Sequence, residues 1–204
     1  MNLAIKSKSF ESTVACSDAE MLYLNDRKSY VPMATCALEH ILFNQNLSEI
    51  ARLYYLLVDC IAHIHLATDG DVREAEKNGA QWGALLNRNS SYVYQIQKEL
   101  EEKGYFVMLR QKTNQQHEVN RIIPTLPEAV YQELNRSDLK HGVSRAPDQL
   151  PASGRRAALD ETKLFTKLNL ALYKSLLLDV TLTPIQKLIW VYCCLLYTSD
   201  AADD

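Results

Sequence analysis

The stretch from Gly79 to Pro124 limits the fold more than any other part of the chain, because periodicity and punctuation agree along all of it. Gly79 to Leu86 is a short helical run. Asn87-Arg88-Asn89-Ser90-Ser91 follows as a polar turn rich in helix N-caps. Tyr92 to Lys103 then carries a helical repeat, ended by Gly104. Two β-prone runs come next, Tyr105 to Leu109 and Val119 to Pro124, around the polar loop Arg110 to His117. This order predicts a helix-turn-helix followed by a two-stranded wing. The fold class expected is therefore mainly α with a small β wing, a winged helix-turn-helix. Such an arrangement presents one exposed helix at a width that fits the DNA major groove.

The second helix of this unit divides into two faces. Val93, Ile96 and Leu100 lie in one narrow arc and form its core side. Ser91, Tyr94, Gln95 and Lys98 lie on the opposite arc, with Ser90 at the helix start. Gln95 suits an adenine edge, and Ser91 can donate to a base or a phosphate. Lys98 can neutralise phosphate, and Tyr94 offers a ring for a thymine methyl and a hydroxyl for phosphate. Arg110, Lys112 and Arg121 on the wing add positive charge. Glu99, Glu101 and Glu102 sit where the helix should leave the groove. The alternative is an ordinary solvated face on a small α/β domain. Trp82, Leu85 and Leu86 are expected in the core.

Charge alone decides little. The chain holds 22 basic and 25 acidic residues, for a net charge of -3. Three of the acids, Asp200, Asp203 and Asp204, fall in a terminal run that reads as foreign. Cys194-Leu-Leu-Tyr-Thr-Ser-Asp-Ala-Ala-Asp-Asp204 matches one reading frame of the common transposon-derived sequencing adapter, and such a scar is set aside before fold reasoning. The expectation is that residues 194–204 are a non-native tail and that the natural chain continues beyond residue 193. Without the tail the charges balance. Gly79 to Arg121 carries a mild local excess of cations, which is the quantity that matters for nucleic acid.

The remaining sequence organises around that unit. Residues 1–35 form an N-terminal segment, with short strands expected at Met21 to Leu24 and Tyr30-Val31. Thr35 should cap a helix reaching about Asn44. Asn46 or Ser48 starts a long helix to about Ala67, with Ile50, Leu53, Tyr54, Leu57, Ile61 and Ile64 in one stripe. Arg52, Asp59 and His63 share its narrow polar side. Asp71 to Asn78 reads as a charged loop, and Pro127 to Leu134 as a short helix. The first winged-helix domain is placed at residues 36–134. A linker rich in Pro, Gly and polar residues covers 135–160. Glu161 to Leu178 reads as helix, and Thr183-Pro184 starts another. Leu182-Thr-Pro-Ile-Gln-Lys-Leu-Ile-Trp190 echoes Leu47-Ser-Glu-Ile-Ala-Arg-Leu-Tyr54. Residues 161–193 are therefore expected to begin a second winged helix. An unrelated C-terminal helix pair is the other option.

No catalytic signature is found. His63-Ile64-His65 matches the His-hydrophobe-His motif of rolling-circle nucleases. On a helix, however, residues i and i+2 point about 200° apart and cannot easily share a metal. There is no phosphate loop, no Gly-x-Ser-x-Gly elbow and no His-Glu-x-x-His. The expectation is a non-enzyme without cofactor or metal. Cys16, Cys36 and Cys60 are widely spaced, which fits reduced thiols in a cytoplasmic protein. No signal peptide is seen, and no apolar run looks long enough for a bilayer.

A winged helix behind a long first helix, a linker and a second such start resembles the plasmid replication initiators of the tandem winged-helix type. The resemblance spans about residues 36–126, and 161–193 less fully. It implies binding of double-stranded DNA at repeated origin sites. The C-terminal domain would make the main base contacts, and the N-terminal one would assist or dimerise. Ser91, Tyr94, Gln95 and Lys98 correspond to such proteins as helix-face positions. A winged-helix transcriptional regulator and a winged-helix protein–protein module are the alternatives.

Overall fold

The computed structural model describes residues 30–69, 73–111, 119–136, 165–169, 179 and 181–200. A 21-residue helix, α2 (Glu49–Asp69), is the spine, following β1 (Tyr30–Ala34) and α1 (Thr35–Phe43). Ser48 caps it, its Oγ accepting from the Ala51 N–H at 3.2 Å. The apolar stripe proves wider than one face. Leu53 to Val58 are buried without a break, as are Cys60 to Ala62 and Ile64. Neighbours on several sides explain this: α1, the sheet, the helix Ser90–Glu102 and the C-terminal helix all touch α2. Asp59, expected on a polar side, is fully buried and accepts from Arg73 Nη2 at 3.2 Å. A buried carboxylate needs such a partner. Glu49–Ala67 is also long and apolar enough to cross a bilayer by length and composition, contrary to the expectation above. The surrounding elements bury most of it.

Beyond α2 the chain runs β2 (Ala75–Lys77), α3 (Gly79–Leu86), α4 (Ser90–Glu102), β3 (Phe106–Gln111), β4 (Val119–Pro124) and α5 (Glu128–Arg136). The three strands form an antiparallel sheet in the order β2-β4-β3. Ala75 faces Ile122, and Phe106 faces Pro124. Within the loop expected at Asp71 to Asn78, Ala75–Lys77 forms β2. It has three residues, of which Ala75 and Lys77 point inward and Glu76 outward. So short and charged a strand has no readable period of its own, and β4 supplies the pairing.

The helix pair is held by local bonds that its sequence announces. Asn78 and Gln81 form a reciprocal capping box at the start of α3, both bonds at 2.9 Å. α3 ends on Asn87 in the left-handed region at φ 51°. The Arg88 N–H then reaches back to the Gly83 carbonyl at 2.8 Å. Asn89 caps α4 through the Tyr92 N–H, also at 2.8 Å. Gly104, at φ +77°, closes α4, and the Tyr105 N–H bonds to the Leu100 carbonyl at 2.8 Å.

The C-terminal elements depart from expectation. Within Glu161 to Leu178, expected as helix, Phe165–Asn169 is a strand, β5. It pairs antiparallel with β1, Val31 opposite Leu168 and Met33 opposite Thr166. Thr166 and Leu168, two residues apart and so on one face of the strand, are both buried. The partner lies over 130 residues upstream in sequence, so no local window reveals it. Thr35 is likewise not the cap of α1. That position falls to Ala34, without a side-chain bond, while the Thr35 hydroxyl lies 3.0 Å from that of Thr166. α6 (Pro184–Asp200) begins where Thr183-Pro184 announces it, with Gln186 Oε1 accepting from the Thr183 N–H at 2.8 Å. Leu168, Leu188 and Val191 belong to the same buried cluster as the α2 side chains. β5 and the first turns of α6 thus share a core with the first unit. Of the linker expected at 135–160, Asn135 and Arg136 still belong to α5; its other residues and the strand at Met21 to Leu24 lie outside the described residues, as do the side chains from 194 onward. The backbone of α6 runs through Cys194 to Asp200.

Candidate nucleic-acid interface

α4 shows the two faces its spacing implies. Val93, Ile96 and Leu100 are buried, and Ser90, Ser91, Tyr94, Gln95 and Lys98 are exposed. Trp82, Leu85 and Leu86 of α3 are buried as expected. Tyr94 does not project freely. Its ring lies against Gly79, where an added Cβ would come within 2.8 Å of the phenol. The outer arc of α4 therefore presents one aromatic ring steadied on α3 beside the exposed side chains of Ser91, Gln95 and Lys98.

Gln97 was not among the expected core residues, yet it is buried. Its Nε2 donates to the Tyr54 hydroxyl of α2 at 2.6 Å. The signal was present: positions 93, 96, 97 and 100 form a full i, i+3, i+4, i+7 set. Burial raises the Tyr54 pKa well above its ordinary value, against a smaller opposite effect of this bond. Tyr54 is therefore a neutral hydroxyl, and its bond joins α2 to the inner face of α4 beside the buried Val93, Ile96 and Leu100.

The cations behave differently from the expectation of free phosphate contacts. Lys98 lies 3.7 Å from Glu102, both widely exposed. Arg110 on β3 pairs with Glu101 of α4. Lys103 pairs with Glu99 at 2.7 Å. Arg121 on β4 bonds through Nε to the buried Glu74 at 2.8 Å and through Nη2 to the same oxygen. That bond raises the Arg121 pKa further. Arg121 thus ties β4 to the segment before β2. Lys112 lies outside the described residues. Arg88, in the turn before α4, is exposed and donates to the Asn87 carbonyl at 3.0 Å.

Behind α4 sits a polar cluster that sequence reading did not single out. The Tyr105 hydroxyl accepts from Asn44 Nδ2 at 2.6 Å and lies 2.8 Å from His40 Nε2. Burial lowers the His40 pKa, while Glu133 opposes this more weakly. Burial raises the Tyr105 pKa, and the Asn44 bond lowers it less. A neutral His40 accepting from Tyr105 satisfies all three groups. Three elements meet there: α1, the loop after it and the α4–β3 junction.

His63 and His65 lie two residues apart on α2, so the helical reading of that motif holds. Among the described residues no group of three potential metal ligands converges. Comparison with protein-family models, with curated proteins and with solved structures finds no match in any of the three.

Proposed function

We propose that this chain binds duplex DNA through α4, as a winged helix-turn-helix protein. The observation that supports it best is the order of elements: α2, β2, α3, α4, β3, β4, with the sheet arranged β2-β4-β3. A helix-turn-helix backed by a three-stranded sheet leaves its second helix outermost, where it can enter a major groove. The exposed Ser91, Gln95 and Lys98 are side chains that read base edges and phosphates. Within this reading the role is that of a plasmid replication initiator docking on origin repeats. A transcriptional regulator would use the same helix at an operator.

Titration of the protein against labelled duplexes at two salt concentrations tests the proposal. Binding that weakens steeply with salt is the expected result, because phosphate contacts release counterions. Saturable binding to a protein partner without any salt-dependent DNA binding would overturn it. The pairing of Lys98, Lys103 and Arg110 with carboxylates favours that second reading, a protein–protein module. It lowers the net positive potential of the face.

A further inference from the structure

We infer that the acidic end of α4 is a built-in brake on its contact with DNA, with Glu101 and Glu102 holding the cations that phosphate would otherwise engage. The inference rests on the DNA reading above. Tyr94, Lys98, Glu101, Glu102, Met108 and Arg110 line one shallow groove between α4 and β3. Across it Arg110 reaches Glu101, and along its edge Lys98 stands 3.7 Å from Glu102. A phosphate approaching either cation meets a carboxylate already in place. The ion pair must open, and the released carboxylate stays beside the phosphate.

Helix stability does not account for these acids. Carboxylates at a helix C-terminus oppose the macrodipole, which favours cations there. Lys98 precedes Glu102, the less favourable order for an i, i+4 pair. The Lys98–Glu102 pair is largely open to water, and the Arg110–Glu101 pair is open on its arginine side with Glu101 30% exposed; ion pairs so exposed contribute little to folding. Their weakness is what makes the brake useful: phosphate can displace the carboxylates, but binding to arbitrary duplex is penalised. Base contacts from Gln95 and Ser91 then decide whether the complex persists.

The test uses Glu101→Gln, Glu102→Gln and the double substitution, titrated against a random-sequence duplex at two salt concentrations. Glutamine keeps the size of the side chain and removes its charge. Each single substitution should tighten binding roughly two- to fivefold at low salt. The double variant should tighten it further and steepen the salt dependence. Glu39→Gln, on an exposed site of α1, removes the same charge elsewhere and should leave binding unchanged. Thermal melts verify folding, and two separate single variants keep the test intact if one perturbs the helix. Wild-type binding that Glu101→Gln and Glu102→Gln leave unchanged or weaken would overturn the brake and leave the DNA reading standing. Equal tightening by Glu39→Gln would reduce it to a net-charge effect and overturn it too. Absence of binding by every variant would remove the DNA reading itself, and the brake with it.

Discussion

At the scale of single residues, Gly83 lies hard against the turn between α3 and α4. Gly83 has no room for a side chain, since an added Cβ would lie 2.5 Å from the Arg88 carbonyl oxygen. That oxygen belongs to the turn backbone and cannot swing away. Gly83→Ala should therefore destabilise the protein by about 1–3 kcal/mol, the usual range for overpacking. Urea denaturation checks it, and an unchanged midpoint would show that the turn yields. The Tyr54–Gln97 bond makes a paired case. Tyr54→Phe strands the Gln97 amide in the core and should cost about 1–3 kcal/mol. Adding Gln97→Leu should restore part of that loss, because no polar group is then left without a partner. Full additivity of the two losses in a double-mutant cycle would deny the coupling. His40 gives the pH dependence. Its folded pKa lies below about 6.5, the unfolded value, so the unfolded chain binds the proton more readily. The His40 contribution is fully present above that pH and is lost as pH falls through the window down to the folded pKa. His40→Gln should flatten this part of a stability–pH profile measured between pH 7.5 and 5. A profile of undiminished slope would assign the dependence to other groups.

At the scale of elements, α4 was legible because its signals were local. Asn89, Gly104 and the spacing of Val93, Ile96 and Leu100 mark its ends and its inner face within one short stretch of chain. The same holds for α3, whose cap Asn78 and partner Gln81 are three residues apart. β2 and β5 were not legible, because a strand gains its identity from its partner. Lys77 reads as loop and Lys167 as helix until Asn120 and Pro32 are placed opposite them. Of the expected interface, exposure could be read from periodicity, but pairing could not. Nothing in the spacing of Arg121 reveals Glu74, 47 residues earlier. The consequence for α4 is direct. Lys98→Ala and Arg110→Ala should weaken binding to all duplexes and lower the salt slope by about 1 each. Gln95→Ala should instead relax preference at one base pair, by about 1–3 kcal/mol for a bidentate contact. All three side chains are exposed, so melting temperatures should hardly move. Intact folding with unchanged binding in all three would take α4 out of the interface.

At the scale of the whole molecule, β5 and α6 belong to the core built on α2. Val31 and Leu168 face each other across β1 and β5 and are both buried. Leu188 and Val191 extend the same cluster. Cleavage at a protease site introduced between residues 137 and 164 should therefore leave two fragments that travel together in gel filtration. Val31→Asp should separate them, since it places a charge against Leu168. Fragments that part without that substitution would indicate a second, independent unit.

The fold divides its residues into those it cannot spare and those it does not notice. Most of the described side chains of α2 are buried among neighbours, whereas Ser91 and Gln95 stand in the open on a helix whose inner face is already committed. Drift can rewrite those outer positions without a penalty in folding. On the proposed DNA reading, a lineage of such chains would then change its target one substitution at a time while keeping the scaffold that presents it.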